Sequence, residues 1–278
     1  MSVFLLTAVS GAPGVSTMAL GMALRWPRAS LLVEADAQQS LLAGYFAGAV
    51  PPEPNLSQVA VRAARGEANL GEAIWHGAQR FPSDAEPNRR LFIPGPTPPW
   101  MRHAVDQRWG AMAPTLAQMD EAGMDVLVDL GRLQTPISQT PALVSTPLLE
   151  NSALVAVVIE PTLPGIAAAR ILVEGLTVQV KHSVRQPLLG VVLRAPATAS
   201  RRWFGPQVKI QTYSPREISR QLNVPVLGQV EHDVAGAALL NQGLEWDKSP
   251  LAKNLHSLAR DLQQRATRHA TSQENPHA

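Results

Sequence analysis

The first forty residues constrain the fold more than any other stretch of the chain. Residues 3–9 are a short apolar run with β-branched side chains, and residues 10–17 (SGAPGVST) follow with two glycines and a proline. Residues 17–24 have a helical composition, and a second apolar run at 29–33 is soon followed by Asp36. This order predicts a βαβ unit of a parallel sheet. The glycine loop and Asp36 should then face one crevice at the carboxyl ends of the strands.

The glycine loop has the character of a phosphate-binding segment. A loop of this kind presents backbone N–H groups and the positive end of a helix dipole, which together suit an anion. Its spacing nearly matches G-x-x-x-x-G-K-[ST], with Ser16 at the final hydroxyl position and Val15 where the motif has lysine. We expect phosphate contacts from Gly11, Ala12, Gly14, Val15, Ser16 and Thr17.

Buried-strand patterns alternate with helical patterns along the rest of the chain. Such alternation predicts one α/β domain with a doubly wound, mostly parallel sheet of about seven strands flanked by helices. We expect this domain to span residues 1–265 and residues 266–278 to form a disordered tail. The expected strands are 3–9, 29–33, 91–93, 125–129, 154–159, 188–193 and 226–230, the expected helices are 17–24, 40–49, 56–65, 70–75, 104–122, 163–175, 215–222, 234–243 and 251–265, and residues 79–90 are expected to be a surface loop.

Two of these helices carry signals of their own. Ser214 and Glu217 have capping-box spacing at the start of the helix expected at 215–222. The last helix has an apolar row on one face, which predicts that it packs on the domain and does not bind a membrane. This row consists of Leu251, Leu255, Leu258 and Leu262.

Composition excludes several classes of protein. The 278 residues include no cysteine, which excludes disulfides and thiolate metal sites and favours a cytoplasmic protein. The seven histidines show no ligand spacing, and no run of eighteen apolar residues predicts a transmembrane segment. The apolar N-terminus lacks a basic flank, so we interpret it as a core strand and not a signal peptide. A net charge of +2 permits contact with nucleic acid without implying it.

Five stretches, in this order, resemble segments of the MinD/ParA family of deviant P-loop ATPases over residues 1–245. The resemblance implies a P-loop NTPase-like fold of the MinD/ParA type. The last stretch is the most specific, because its length, prolines and acid all correspond to the family pattern. The five are SGAPGVST at 10–17, LLVEAD at 31–36, DVLVDLG at 125–131, VVIEPTLPGIAAAR at 157–170 and LNVPVLGQVEHDVAGAALLNQG at 222–243.

The resemblance also implies roles for individual residues. It places Ser16, Asp36 and Asp129 around a magnesium ion bound with ATP or ADP, and it makes Asp36 a catalytic residue if the protein is active. Both family lysines are replaced, one by Ser10 and the other by Val15. Because those cations neutralise charge during phosphoryl transfer, their loss predicts weak or absent hydrolysis.

Other departures lie around the same loop. Pro13 removes one backbone N–H from it. Arg194 stands where the family often has an asparagine near the base, and Glu231 stands where it has a proline.

The main hypothesis is therefore a MinD/ParA-like positioning or scaffold protein with a degenerate P-loop, a pseudo-ATPase. The resemblance implies a cytoplasmic homodimer whose partner belongs to a partition, septum, secretion or pilus machinery. One alternative is an active ATPase with a substitute cation, for which Arg132 is the best candidate. The other is a ParA-like DNA-binding protein that contacts DNA through Arg201, Arg202 and Lys209.

Overall fold

The computed structural model describes residues 3–9, 14–36, 45–66, 69–82, 89–96, 99–133, 144–196 and 211–274. They form one eight-stranded sheet with the strand order β3-β4-β2-β5-β1-β6-β7-β8. All neighbouring strands are parallel except β3 and β4. The strands are β1 (Val3–Ala8), β2 (Ala29–Glu34), β3 (Gln79–Arg80), β4 (Arg90–Ile93), β5 (Met124–Arg132), β6 (Leu154–Ile159), β7 (Leu188–Arg194) and β8 (Val226–Val230).

Helices flank this sheet, which confirms the predicted doubly wound, mostly parallel architecture with one strand more than expected. Three short 3-10 turns, at Phe46–Gly48, Pro99–Met101 and Met119–Ala122, accompany the helices. The helices are α1 (Val15–Arg25), α2 (Leu56–Ala64), α3 (Leu70–Gly77), α4 (Arg102–Asp106), α5 (Trp109–Gln118), α6 (Thr146–Glu150), α7 (Leu163–His182), α8 (Pro215–Leu222), α9 (Val234–Asn241) and α10 (Pro250–Glu274).

The core lies along the central strands. Every residue of β1 and β6 is buried. Helices cover both faces of a parallel sheet, so neither face of these central strands contacts solvent. The leucine row of α10 is also buried, and this helix contacts β8 and α1. The prediction that the last helix packs on the domain is therefore confirmed.

Several predicted boundaries differ from the structure. The helix expected at 104–122 is divided into α4, α5 and a 3-10 turn, and α5 contains Pro114. Within the segment expected as a helix at 40–49, residues 45–49 contain only the turn Phe46–Gly48, and residues 40–44 lie outside the described part. Gln79–Arg80, expected in a loop, forms the antiparallel edge strand β3.

The end of the domain also differs from the expectation. Helix α10 continues through Glu274, although we predicted a disordered tail from Ala266 onward. Ala266 is buried, and His269 Nε2 and Gln273 Nε2 lie 2.9 and 2.8 Å from the carbonyl oxygen of Gln186. These contacts hold the last turns of α10 against the loop before β7. Residues 275–278 lie outside the described part of the chain.

Helix α7 is, among the described helices, the one whose length and composition would allow it to cross a membrane. The mean hydropathy of its most apolar window is 1.3, and 28% of that window is buried. Its inner face, which includes Ile166, Leu172 and Leu176, is buried, and the helix contacts β6 and β7. Helix α7 therefore packs on the sheet through one face, while most of its apolar window is not buried.

Candidate functional site

The site begins where the glycine loop enters α1. Gly14 precedes the helix with φ of 104°, a left-handed conformation that glycine adopts without steric cost. No described side chain caps α1, and its first turn contains no acidic residue. Its first backbone N–H groups are therefore available to an anion. In contrast, six other described helices have side-chain caps, from Asn55, Asn69, Thr162, Ser214, Asp233 and Ser249.

Val15 is the first residue of α1, and it is buried in the hydrophobic core. In the phosphate-binding motif this position holds a lysine whose ammonium group reaches the phosphates. A buried isopropyl group provides no charge at this position. This side of the site is therefore apolar where the motif is cationic.

Two acidic residues meet at the carboxyl ends of β2 and β5. The strands run in register, with Glu34 opposite Asp129, and the Ala35 N–H donates to the Asp129 carbonyl at 2.8 Å. Asp36 packs directly on Gly131, where a Cβ atom would lie only 2.0 Å from the Asp36 Cγ. Gly131 also has φ of 61°, so both space and backbone conformation require glycine here.

Asp129 is fully buried and only partly hydrogen-bonded. Its Oδ1 accepts a hydrogen bond from the Gly131 N–H at 2.9 Å, whereas its Oδ2 has no partner among the described residues. Burial raises the pKa of Asp129 to about 6; the Ser16 hydroxyl and the Gly131 N–H oppose this effect, and the Asp36 charge adds to it. A bound cation would give the unpaired Asp129 Oδ2 a partner. It would also reduce the repulsion between the carboxylates of Asp36 and Asp129.

The donor set suits magnesium. Mg²⁺ prefers oxygen ligands, takes few of them from the protein and keeps several waters. Ser16 and Asp36 line one small cleft, and Asp129 lies buried beside both. No cluster of three or more histidine, aspartate or glutamate side chains with metal-binding geometry occurs among the described residues. The residues present therefore fit a magnesium ion that is held largely by a nucleotide and water.

The small cleft has a volume of about 60 Å³. On one side, the Thr17 hydroxyl lies 2.6 Å from the Tyr45 hydroxyl, and burial raises the pKa of Tyr45. On the other side, the exposed Arg132 brings a guanidinium group to the cleft. The lining residues are Gly14, Val15, Ser16, Thr17, Asp36, Tyr45 and Arg132.

A second cavity of about 300 Å³ shares Gly14 and Thr17 with the cleft and extends to the end of β8. Arg194 lines it, packed 3.8 Å from the position of a Cβ on Gly14. The Arg194 guanidinium forms an ion pair with Glu160 and lies 2.8 Å from His232 Nδ1. The two cavities meet at Gly14 and Thr17, and Glu231 and Asp233 also line the second one.

The sequence predicted part of this site. The structure brings together Gly14, Val15, Ser16, Thr17 and Asp36, with Asp129 beside them. Tyr45 and Glu160 were not predicted, because no motif marks them. Each contacts a site residue that is distant in sequence, Thr17 for Tyr45 and Arg194 for Glu160. The remaining predicted residues, Ser10, Gly11, Ala12, Pro13, Arg201, Arg202 and Lys209, lie outside the described part of the chain.

No protein-family model and no curated protein matches the sequence. Solved structures do match the fold over nearly the whole chain. A ParA family ATPase from Chlorobium tepidum has 18% identity and a TM-score of 0.66, with 93% of this chain and 98% of that chain covered. An McdA–ATP complex from Cyanothece has 16% identity and a TM-score of 0.65, with coverage of 95% and 96%.

A third similar structure contains both a nucleotide and a metal ion. It is the septum site-determining protein MinD from Pyrococcus horikoshii, complexed with Mg-ADP. The identity is 14% and the TM-score 0.59, with 95% of this chain and 97% of that chain covered. These comparisons establish that the chain has the P-loop NTPase fold of the MinD/ParA type.

Proposed function

We propose that this chain is a MinD/ParA-like positioning or scaffold protein that binds ATP or ADP with Mg²⁺ and hydrolyses ATP weakly or not at all. The observation that carries the proposal is the mixed character of the site. Ser16, Asp36 and Asp129 retain the oxygen groups that suit a magnesium–nucleotide complex, while Val15 is buried at the lysine position. The fold shared with ParA, MinD and McdA proteins supports the same assignment.

Each part of the nucleotide has a counterpart in the site. The phosphates would contact the N–H groups at the start of α1, next to the small cleft. The Ser16 hydroxyl and the two acids would hold the metal, which supplies positive charge to the phosphate oxygens. The base would occupy the larger cavity beside Arg194.

Weak hydrolysis follows from electrostatics. Phosphoryl transfer depends on cations placed in advance near the charge that develops on the phosphate oxygens. Val15 provides no such cation. The protein would therefore hold a nucleotide longer than an active ATPase and act through its surfaces, as a cytoplasmic homodimer with a partner from a partition, septum, secretion or pilus machinery.

Calorimetry on the nucleotide-stripped protein tests this proposal. We expect ATP and ADP to bind in the micromolar range with Mg²⁺ and more weakly without it, and we expect little or no phosphate release. Ser16→Ala should reduce the magnesium dependence, and Ser219→Ala, at a serine outside both cavities, is the control. Absence of heat at millimolar nucleotide would contradict nucleotide binding.

The position of Arg132 supports a second candidate, an active ATPase with a substitute cation. This exposed arginine lines the cleft together with Ser16 and Asp36. Under this alternative the protein releases phosphate from ATP, Arg132→Ala abolishes the release, and Arg132→Lys retains part of it. Asp36→Ala should also abolish turnover. Undetectable turnover in the unmodified protein would exclude this candidate.

The DNA-binding alternative remains a sequence prediction, because Arg201, Arg202 and Lys209 lie outside the described residues. It predicts DNA affinity that falls steeply with salt concentration and that is lost when Arg201 and Arg202 are changed to glutamate. Salt-independent behaviour, or no DNA binding, would contradict it.

A further inference from the structure

A groove of about 600 Å³ lies between α2 and α3, and we call it the α2–α3 groove. It shares no lining residue with the two cavities of the nucleotide site. Residues 57, 58, 59, 61 and 62 of α2 line it, together with Arg65, which follows the helix. The two helices pack closely, because a Cβ on Gly77 would lie 2.5 Å from Val59 Cγ2.

The walls of the α2–α3 groove are largely apolar. Val61 and Ala73 face it from the two helices, and Met101 contributes from the turn before α4. Two exposed tryptophans, Trp75 and Trp100, directly precede the lining residues His76 and Met101 in the chain. A largely apolar concavity of this volume is characteristic of a ligand-binding site.

The charged groups of the groove are cationic. Arg62 and Arg65 lie one turn apart at the end of α2, and the lining residue His76 lies 3.4 Å from Glu72, which is outside the lining. Among the described lining residues none carries a carboxylate. Arg65 is exposed, and no described residue forms an ion pair with it. The groove therefore complements an anion.

The groove also contains an unsatisfied hydroxyl. Ser57 lines it and is only 5% exposed, and its Oγ has no hydrogen-bond partner among the described residues. A buried hydroxyl without a partner costs free energy. Rotation about the single Cα–Cβ bond would allow it to donate to a ligand in the groove. A ligand with an acceptor atom would satisfy this group.

We propose that the α2–α3 groove binds a small amphiphilic anion. Its apolar body lies between the Val61, Ala73 and Met101 walls, and its acidic group, a carboxylate or one of similar chemistry, faces Arg65. The volume of the groove is typical of small-molecule sites. This binding is independent of the nucleotide site, so it does not depend on the function proposed above.

Three probes of equal chain length test the proposal on the full chain: decanoate, 1-decanol and decylammonium. We expect decanoate to bind most tightly by calorimetry and to shift tryptophan emission to shorter wavelength, a shift reduced in Trp100→Phe. Arg65→Glu should weaken decanoate binding roughly fivefold and leave decanol binding unchanged. Val61→Asp should abolish decanoate binding, because it places a carboxylate in the apolar wall.

The controls separate this proposal from a loss of folding. Val61 and Arg65 are exposed, so their variants should melt at the temperature of the unmodified protein. Arg216→Glu removes an exposed arginine of α8 outside the groove and should leave decanoate binding unchanged. Equal binding of all three probes would overturn the proposal and indicate an apolar face for a protein partner. Absence of saturable decanoate binding, or equal effects of Arg65→Glu and Arg216→Glu, would also overturn it.

Discussion

At the scale of single residues, Asp129 shows how a site group can destabilise the fold that contains it. Its carboxyl is buried, and one of its oxygens has no partner among the described residues. Its pKa is about 6 in the folded protein, against an ordinary value of 3.8. The protonated form therefore favours folding, and this contribution is present below about pH 4 and lost as the pH rises through 6.

Asp129→Asn should stabilise the protein at neutral pH. The neutral amide removes the penalty of a buried charge, which the difference between the two pKa values places at up to roughly 3 kcal/mol. Urea unfolding between pH 4 and 8 measures the effect, and the variant should also show a smaller decline of stability between pH 4 and 6. Asp261→Asn, at an exposed position of α10, should change neither. A less stable Asp129→Asn would contradict this account.

Val15→Lys tests whether a cation at this position strengthens contact with the phosphates of ATP. A lysine at the start of α1 should raise ATP affinity about tenfold, because it adds a charge-assisted contact to the phosphates. It should also lower the free energy of unfolding by about 1–2 kcal/mol, since the position is buried. Calorimetry and urea unfolding measure the two effects. Val15→Met is the apolar control, and an equal gain of affinity in it would refute the electrostatic explanation.

At the scale of elements, α1 packs against the two C-terminal helices, α9 and α10. A Cβ on Gly21 would lie 2.3 Å from Leu255 Cδ1 of α10 and 3.3 Å from Leu240 Cδ2 of α9. Glycine at this position permits the close approach of α1 to both helices. The orientation of α1 therefore depends on residues more than two hundred positions later in the chain.

A pair of glycine substitutions tests this packing. Gly21→Ala should destabilise the protein by about 1–3 kcal/mol, because the methyl group displaces Leu255. Gly110→Ala, at an exposed position of α5 with no atom within 4 Å, should stabilise it by about 0.5–1 kcal/mol. Thermal unfolding of both variants measures the contrast. Stabilisation by both substitutions would show that the α1 packing tolerates an added methyl group.

The sequence predicted those elements whose signal is local. The bounds of α8 were correct because Ser214 and Glu217 form the predicted capping box. The bounds of β6 and β8 were correct because short apolar runs end at turn residues. Strand β3 was missed, since two residues cannot display a period of two. The extension of α10 was missed because its last turns are polar and rest on contacts with Gln186.

The same distinction holds within the site. Ser16, Asp36 and Asp129 were predicted because a motif and strand ends mark them. The partners Tyr45 and Glu160 were not, because each contact joins residues 28 or 34 positions apart without a pattern between them. The groove between α2 and α3 was also not predicted, since it depends on how two helices pack.

At the scale of the whole molecule, we expect dimerisation that does not require nucleotide. The resemblance to the MinD/ParA family implies a lysine at position 10 that reaches across a dimer to the nucleotide, and this chain has Ser10 there. We therefore expect ATP to contribute less to the association of two subunits. Sedimentation equilibrium should give twice the chain mass of 29.9 kDa with and without ATP. A monomer under both conditions, or a dimer only with ATP, would contradict this expectation.

The central position of β1 in the sheet also affects the order in which the fold can form during synthesis. This strand is synthesised well before its two neighbours, β5 and β6, which begin at residues 124 and 154. The packing of α1 is completed later still, because its partner α10 begins at residue 250. During synthesis, α1 therefore emerges well before the helix that packs on it. A nascent chain that ends before α10 should lack the nucleotide binding proposed above.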